Sequence, residues 1–224
     1  MASEVVDNNR IENFISSFDY NETECIKNIY DYCINNDVPI IKNQTKSFLR
    51  SIINIKKPTK ILEIGTAVGY SSIIIFDEVK KYCKNPIMYT IENYPKRIDE
   101  AVKNFKKYGY KDIALFKDDA SVILEKLAQS GDKFDFIFLD AAKAQYSVWF
   151  NNIKKLLNNN GILIADNIFK DGEVIESRYL IRKRDRTIHQ RIREFLHKIF
   201  NDEHLKSYVY TIGDGVSLSI KNGE

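Results

Sequence analysis

Four apolar runs of this 224-residue chain end on, or lead directly into, acidic side chains. KILEI carries Glu63, IMYTI is followed by Glu92, IALF by Asp118 and Asp119, and FDFIFL by Asp140. If the runs are neighbouring strands, their carboxylates gather along one rim and repel one another unless a polyol, a cationic ligand or a metal sits among them. The first run continues as LEIGTAVGYSS, an acid followed by Gly65, Gly69 and the start of a helix. Glycine lets backbone approach a ligand closely, and a helix N-terminus favours a negative group such as a carboxylate. Glu92, at the next strand end, is placed to accept hydrogen bonds from a ribose diol. The turn is neither G-x-G-x-x-G nor G-x-x-x-x-G-K-[ST], which argues against a dehydrogenase or a nucleotide hydrolase. Lys143, three residues beyond Asp140, and the pair Asp166 and Asn167 after GILIA are by themselves unremarkable: a lysine on a helix is usually solvated, and Asp-Asn is a common turn.

The elements that must hold these residues alternate. KILEI, IMYTI, IALF, FDFIFL and GILIA are short and continuously apolar, and the segments between them are long enough for helices. That pattern implies a parallel sheet covered on both faces. SYVYTI and VSLSI, joined by Gly213-Asp214-Gly215, predict an antiparallel hairpin at the sheet edge. Upstream, NETECIKNIYDYCINN predicts a helix opened by Asn21 with Glu24 in a capping box, and TKSFLRSIINI predicts another. The expected architecture is one α/β domain over residues 1–224. Its helical section covers 1–57, and a seven-stranded, mostly parallel sheet with an antiparallel C-terminal hairpin covers 58–224.

Composition narrows the class. No run approaches the roughly eighteen apolar residues of a membrane span, and the first twenty residues hold acids and no apolar h-region, so a soluble cytoplasmic protein without a membrane partner is expected. Cys25, Cys33 and Cys83 fit neither a disulfide framework nor a zinc site and are expected as reduced, partly buried thiols. His189, His197 and His204 have no carboxylate at a recognisable spacing and are expected at the surface or its boundary. Trp149 and Phe150 are expected as core packing. Net charge is only +3, yet Arg178, Arg182, Lys183, Arg184, Arg186, Arg191 and Arg193 face a single acid, Asp185, within one short window.

ILEIGTAVGYSS, IEN, DDA, LDAAKAQY and ADN, in this order and spacing, resemble the magnesium-dependent class I O-methyltransferases, the group of the caffeoyl-CoA and catechol enzymes. The likeness runs from about Val38 to Ile220. It implies a Rossmann-like methyltransferase fold and S-adenosylmethionine as methyl donor. By the same resemblance Glu63, Gly65, Thr66, Tyr70 and Ser71 meet the amino-acid part of the cofactor, with Ile41 contributing from the N-terminal section and Asp140 bordering the same site. Glu92 takes the ribose, and Asp119 with Ala120 borders the adenine; Asp118 departs from the glycine many relatives carry. Asp140, Asp166 and Asn167 become three oxygen ligands, a set suited to Mg²⁺, Mn²⁺ or Ca²⁺ rather than zinc. A hydroxyl on such a cation loses its proton more readily, and Lys143 accepts or steers that proton.

The acceptor is read from the segment after Asn167. A run of Arg and Lys beside the site suits a phosphate backbone. KRDRTIHQRIREF followed by TIGDGVSLSIK resembles the bacterial branch that methylates 5-hydroxyuridine at the tRNA wobble position. That likeness implies the anticodon loop of tRNA as partner, with Arg178, Arg182, Lys183, Arg184 and Arg186 on phosphates. A small-molecule catechol or caffeoyl-type enzyme with a solvated basic surface is the alternative, and a non-catalytic RNA- or cofactor-binding protein is a third reading. Members of the family imply a homodimer.

Overall fold

The computed structural model describes residues 22–223, together with Arg10, Phe14, Ser17 and Phe18. Two helices come first, α1 (Glu24–Asn35) and α2 (Asn43–Lys56). Then strands and helices alternate: β1 (Lys60–Ile64), α3 (Tyr70–Lys80), β2 (Ile87–Ile91), α4 (Pro95–Tyr108), β3 (Ile113–Phe116), α5 (Ala120–Gln129), β4 (Phe134–Leu139), α6 (Tyr146–Leu156) and β5 (Leu157–Ala165). The chain closes with α7 (Arg186–Asn201), β6 (Leu205–Tyr210) and β7 (Val216–Lys221). The order across the sheet is β3-β2-β1-β4-β5-β7-β6. Pairings from β3 through β5 are parallel, and β7 runs antiparallel to both β5 and β6. This is the Rossmann-like methyltransferase sheet expected, hairpin included.

Strand alternation divides the core in two. Ile61, Phe136, Phe138, Ile162 and Ile164 point to one face and pack with α1 to α4. Leu62, Ile64, Ile137, Leu139 and Leu163 point to the other and pack with α5, α6 and α7. Both faces are thus covered, which explains why these strands read as unbroken apolar runs.

Local chemistry fixes the helix starts near the sheet's carboxyl edge. Pro95 opens α4 and Gly109, at φ +82, ends it. Asp119 caps α5 by accepting from Ser121 N at 2.8 Å. The cap of α1 differs from the expected capping box: Thr23 is the N-cap and its hydroxyl accepts from Ile26 N, while Asn21 lies outside the described residues. Cys25 and Cys33 are free and buried, and Cys83 is free and partly buried. None of the described helices is long and apolar enough to cross a membrane.

Candidate active site

The strand order reverses direction between β1 and β4, and in open α/β sheets that switch point is where ligands sit. A cavity of about 510 Å³ opens there, with Gly65 after β1 and Asp140 after β4 in its wall. Ile41, Thr66, Tyr70, Ser71, Glu92, Asp119 and Ala120 line it as well, as do Lys143 and Asn167. The topology thus brings together residues spread over more than half the chain.

Gly65 holds a backbone conformation, φ +106, that L side chains rarely adopt. Its amide donates to Ile91 O at 3.0 Å, and Asp140 N donates to Ile64 O at 3.0 Å. The first turn beyond β1 is therefore tied to the strands on both sides. Glu92 accepts from the amides of Ala67 (2.9 Å), Asn93 (3.0 Å) and Tyr94 (3.0 Å). Its carboxylate is oriented by backbone rather than by a cation, and Oε2, with one of these bonds, keeps acceptor capacity for a hydroxyl.

Glu63 is placed differently from the expectation that it meets a cofactor. It is fully buried and does not line the cavity. Its carboxylate accepts from the hydroxyls of Ser71 (2.6 Å), Thr90 (2.6 Å) and Ser72. Glu63 thus ties the start of α3 to β1 and β2 from behind the wall. Burial pushes its carboxyl up to about 7, against the pull of the three hydroxyls, with Asp140 adding a smaller push.

Asp140, Asp166 and Asn167 stand at the ends of β4 and β5. Asp140 keeps 22% of its side-chain surface, and Lys143 Nζ lies 3.8 Å from its Oδ1. Burial raises the Asp140 carboxyl, and Lys143 and Arg97 oppose the rise. Asp166 is fully buried just beneath the cavity floor, and burial first, then Asp140, pushes it up to about 7. Its Oδ1 accepts from Asn167 N at 2.8 Å and from Thr45 Oγ1 at 3.4 Å. Oδ2 is buried with no hydrogen-bond partner. Asn167 adopts φ +55, a left-handed conformation that asparagine tolerates better than most side chains. A half-buried carboxylate and a fully buried one with an orphaned oxygen, beside an amide, fit a hard divalent cation. Among the described residues no group of three His, Cys, Asp or Glu side chains gathers as a metal cluster, consistent with a set whose third donor is an asparagine.

Lys143 sits in a short 3₁₀ turn, Lys143–Gln145, that precedes α6 rather than in the helix expected to follow Asp140. Below this turn the Tyr146 hydroxyl is a buried hub. It accepts from Ala141 N at 3.2 Å and lies 3.3 Å from the carbonyls of both Leu139 and Asp166. Trp149 is buried in the core as expected, yet it also borders the cavity, and its indole donates to Ser121 Oγ at 3.0 Å. Gln145 of the LDAAKAQY run lines the cavity too, as do Tyr94 and Arg97, which no motif in the sequence marks. Their signal is positional: Tyr94 and Arg97 lie at the first turn of the helix after β2, which faces the ligand edge.

Of the basic segment, Arg178, Arg182, Lys183 and Arg184 are exposed. Arg184 lies 3.4 Å from Asp185, which Lys170 also approaches at 3.4 Å. Arg186 turns inward, donating to Ile181 O at 3.1 Å. His189 corrects the surface expectation: it is buried on the inner face of α7, with Nε2 3.1 Å from Glu176 O, because it falls on the same face as Ile192 and Phe195. Helix α7 packs on the Lys143 turn and α6, with Lys198 Nζ donating to Ser147 O at 2.7 Å.

A family profile described as O-methyltransferase matches residues 15–222. The chain belongs to this O-methyltransferase family. Among the relatives of this O-methyltransferase, a catechol O-methyltransferase of Niastella koreensis is 31% identical over 141 residues, covering 62% of each chain. "Probable caffeoyl-CoA O-methyltransferase 2" of Dictyostelium discoideum is 25% identical and covers 96% of this chain and 92% of its own. The crystal structure of an O-methyltransferase from Bacillus cereus in complex with SAH superposes with a TM-score of 0.84 at 22% identity, over 95% of this chain and 97% of the other. That likeness speaks to the fold.

Proposed function

We propose that the protein is an S-adenosylmethionine- and divalent-metal-dependent O-methyltransferase acting on an acidic hydroxyl. The observation that carries this reading is the oxygen set of Asp140 and Asn167 at the wall of a ligand-sized cavity beside Lys143, with the buried Asp166 next to Asn167 behind it, in a chain of this family. The cavity suits the donor: Gly65 permits close approach, Glu92 offers an oriented acceptor to a ribose, and Asp119, Ala120 and Trp149 form the far end. A bound divalent cation would be held by Asp140, Asp166 and Asn167 and would lower the pKa of the acceptor hydroxyl.

The chain's own groups do the rest. Asp140 and Lys143, 3.8 Å apart, form a carboxylate and ammonium pair beside the acceptor position, and the proton the acceptor sheds passes to solvent water. Lys143 Nζ carries positive charge against the developing oxyanion, stabilising it in a site partly closed to water. The walls from Ile41 and Tyr70 to Trp149 hold the two reactants at near-attack distance, the largest saving such a transfer offers.

Two acceptor classes are in view. The names of the relatives support a small catechol or caffeoyl-type hydroxyl, which the cavity alone would accommodate. A specific observation favours tRNA 5-hydroxyuridine: Arg178, Arg182 and Lys183 stand exposed with no ion pair to a described residue, a surface suited to phosphates. A base of a single-stranded loop can be splayed into the pocket at modest cost. One assay separates them. The protein is incubated with S-adenosylmethionine and Mg²⁺, with either a catechol or tRNA rich in 5-hydroxyuridine, and methylated products are read by mass spectrometry beside an EDTA control. Methylated catechol alone assigns the first class, 5-methoxyuridine the second, and no product in either arm sinks the enzymatic reading. Sedimentation of the protein at rising concentration tests the homodimer.

A further inference from the structure

Asp166 accepts from two hydrogen-bond donors, one local in the sequence and one distant. Asn167 N is its own neighbour in sequence; Thr45 Oγ1, at 3.4 Å, comes from 121 residues away, on the first turn of α2. Both bonds fall on Oδ1. A carboxylate oxygen offers about two acceptor sites, so Oδ1 is filled and Oδ2, with no partner, is the only oxygen left to offer.

Thr45 has little freedom to turn away. It is 1% exposed, and the turn between β6 and β7 presses on it closely enough that a Cβ on Gly213 would stand 2.8 Å from its hydroxyl oxygen. The adjacent Lys46 is buried and ion-paired with Glu22, and Arg50, one turn on, lies 3.3 Å from Glu78 of α3. The start of α2 is therefore held from the N-terminal side, from α3 and from the β6–β7 turn. Ile41, four residues before Thr45, lines the cavity.

We infer that Thr45 is a positioning residue for the cation site: its hydroxyl occupies Asp166 Oδ1 and presents Oδ2 as a single-oxygen ligand. The inference rests on the proposed cation at Asp140, Asp166 and Asn167. Groups that orient a ligand in this way are worth roughly 10–100-fold in metal affinity. The N-terminal helical section thereby does more than cover the sheet, since it sets the geometry of a ligand at the end of β5.

The test is direct Mn²⁺ binding to the full-length protein, by electron paramagnetic resonance of the free ion and by calorimetry, without any turnover. Thr45→Val keeps the shape and removes the donor; Thr45→Ser keeps the donor. The expected result is a loss of about 10-fold or more in Mn²⁺ affinity for Thr45→Val, wild-type affinity and thermal midpoint for Thr45→Ser, and a metal-free midpoint for Thr45→Val lowered by no more than the few degrees one hydrogen bond is worth. At saturating Mn²⁺ the kcat of Thr45→Val returns toward wild type while its metal requirement stays raised. Equal Mn²⁺ affinity in wild type and Thr45→Val overturns the inference, as does a Thr45→Ser protein as weak as Thr45→Val, which would assign the effect to packing. Asp166→Asn separates the two levels: if wild type and Asp166→Asn both fail to bind Mn²⁺, the cation site itself is wrong and the inference falls with it.

Discussion

A Cβ placed on Gly65 would stand 1.9 Å from the carbonyl oxygen of Asp140. The turn after β1 thus lies directly against the residue after β4, across the switch point of the sheet, and the cavity wall depends on there being no side chain between them. Asp140 points its carboxylate into the site because its backbone is fixed by this close approach and by its bond to Ile64 O.

Gly65→Ala should accordingly disturb both fold and site. A non-glycine residue at this φ together with the overlap is expected to cost about 2–5 kcal/mol. Urea unfolding reads the loss as a lowered midpoint at unchanged slope. An unchanged midpoint would mean that the turn can move off Asp140 freely.

Asp140→Asn and Lys143→Met remove charge at the reacting end and leave the rest of the cavity standing. Each should lower methyl transfer by about 100-fold or more while S-adenosylhomocysteine still binds calorimetrically. A variant that keeps near-wild-type kcat would exclude that side chain from stabilising the transfer. EDTA should abolish turnover, and added Mg²⁺ should restore it.

Tyr146→Phe tests the hub that joins the ends of β4 and β5. The backbone amide of Ala141 would lose its partner in a buried site, a loss of about 1–3 kcal/mol. For a chain of this size that is a fall of several degrees in Tm, on the scale of about 2–4 °C per kcal/mol. A Tm equal to wild type would show that water replaces the hydroxyl.

Glu63 gives stability a pH dependence whose sign follows from its raised carboxyl. Folded, it holds a proton up to about 7; unfolded, it releases it near 4.5. The folded state therefore binds more protons between these values, and stability falls as pH rises through that window. The full effect is on the order of 3 kcal/mol. Glu63→Gln has no such proton, so its advantage over wild type should grow from pH 4.5 to 7 and then level off. Parallel stability curves for the two proteins would assign the pH dependence to other groups.

Replacing Arg178, Arg182 and Lys183 together by Ala separates the acceptor classes. On tRNA the variant should bind more weakly with a flatter salt dependence, by about one unit of slope for each phosphate no longer neutralised. Turnover of a catechol should be unaffected. Unchanged tRNA affinity and slope would leave the segment as solvated surface.

Much of this was written locally in the chain. Continuous apolar runs of four to six residues, each followed by a helix-length segment, set the strands and their parallel pairing, since only strands covered on both faces read that way. The glycine turn and the acids after successive strands marked the ligand edge, because every such strand delivers its last residue to one rim. What sequence could not state was which of those acids face the cavity. Glu63 and Glu92 look alike as strand-end carboxylates, yet one is walled in by three hydroxyls and the other is held open by three amides. Arg97 and Trp149 joined the site, His189 left the surface, and Thr45 reached Asp166 only through packing between segments far apart in the chain. Short-range patterns carry periodicity and turn chemistry; which side chains meet across a hundred residues is decided by how helices seat on the sheet, and that exists only in the folded state.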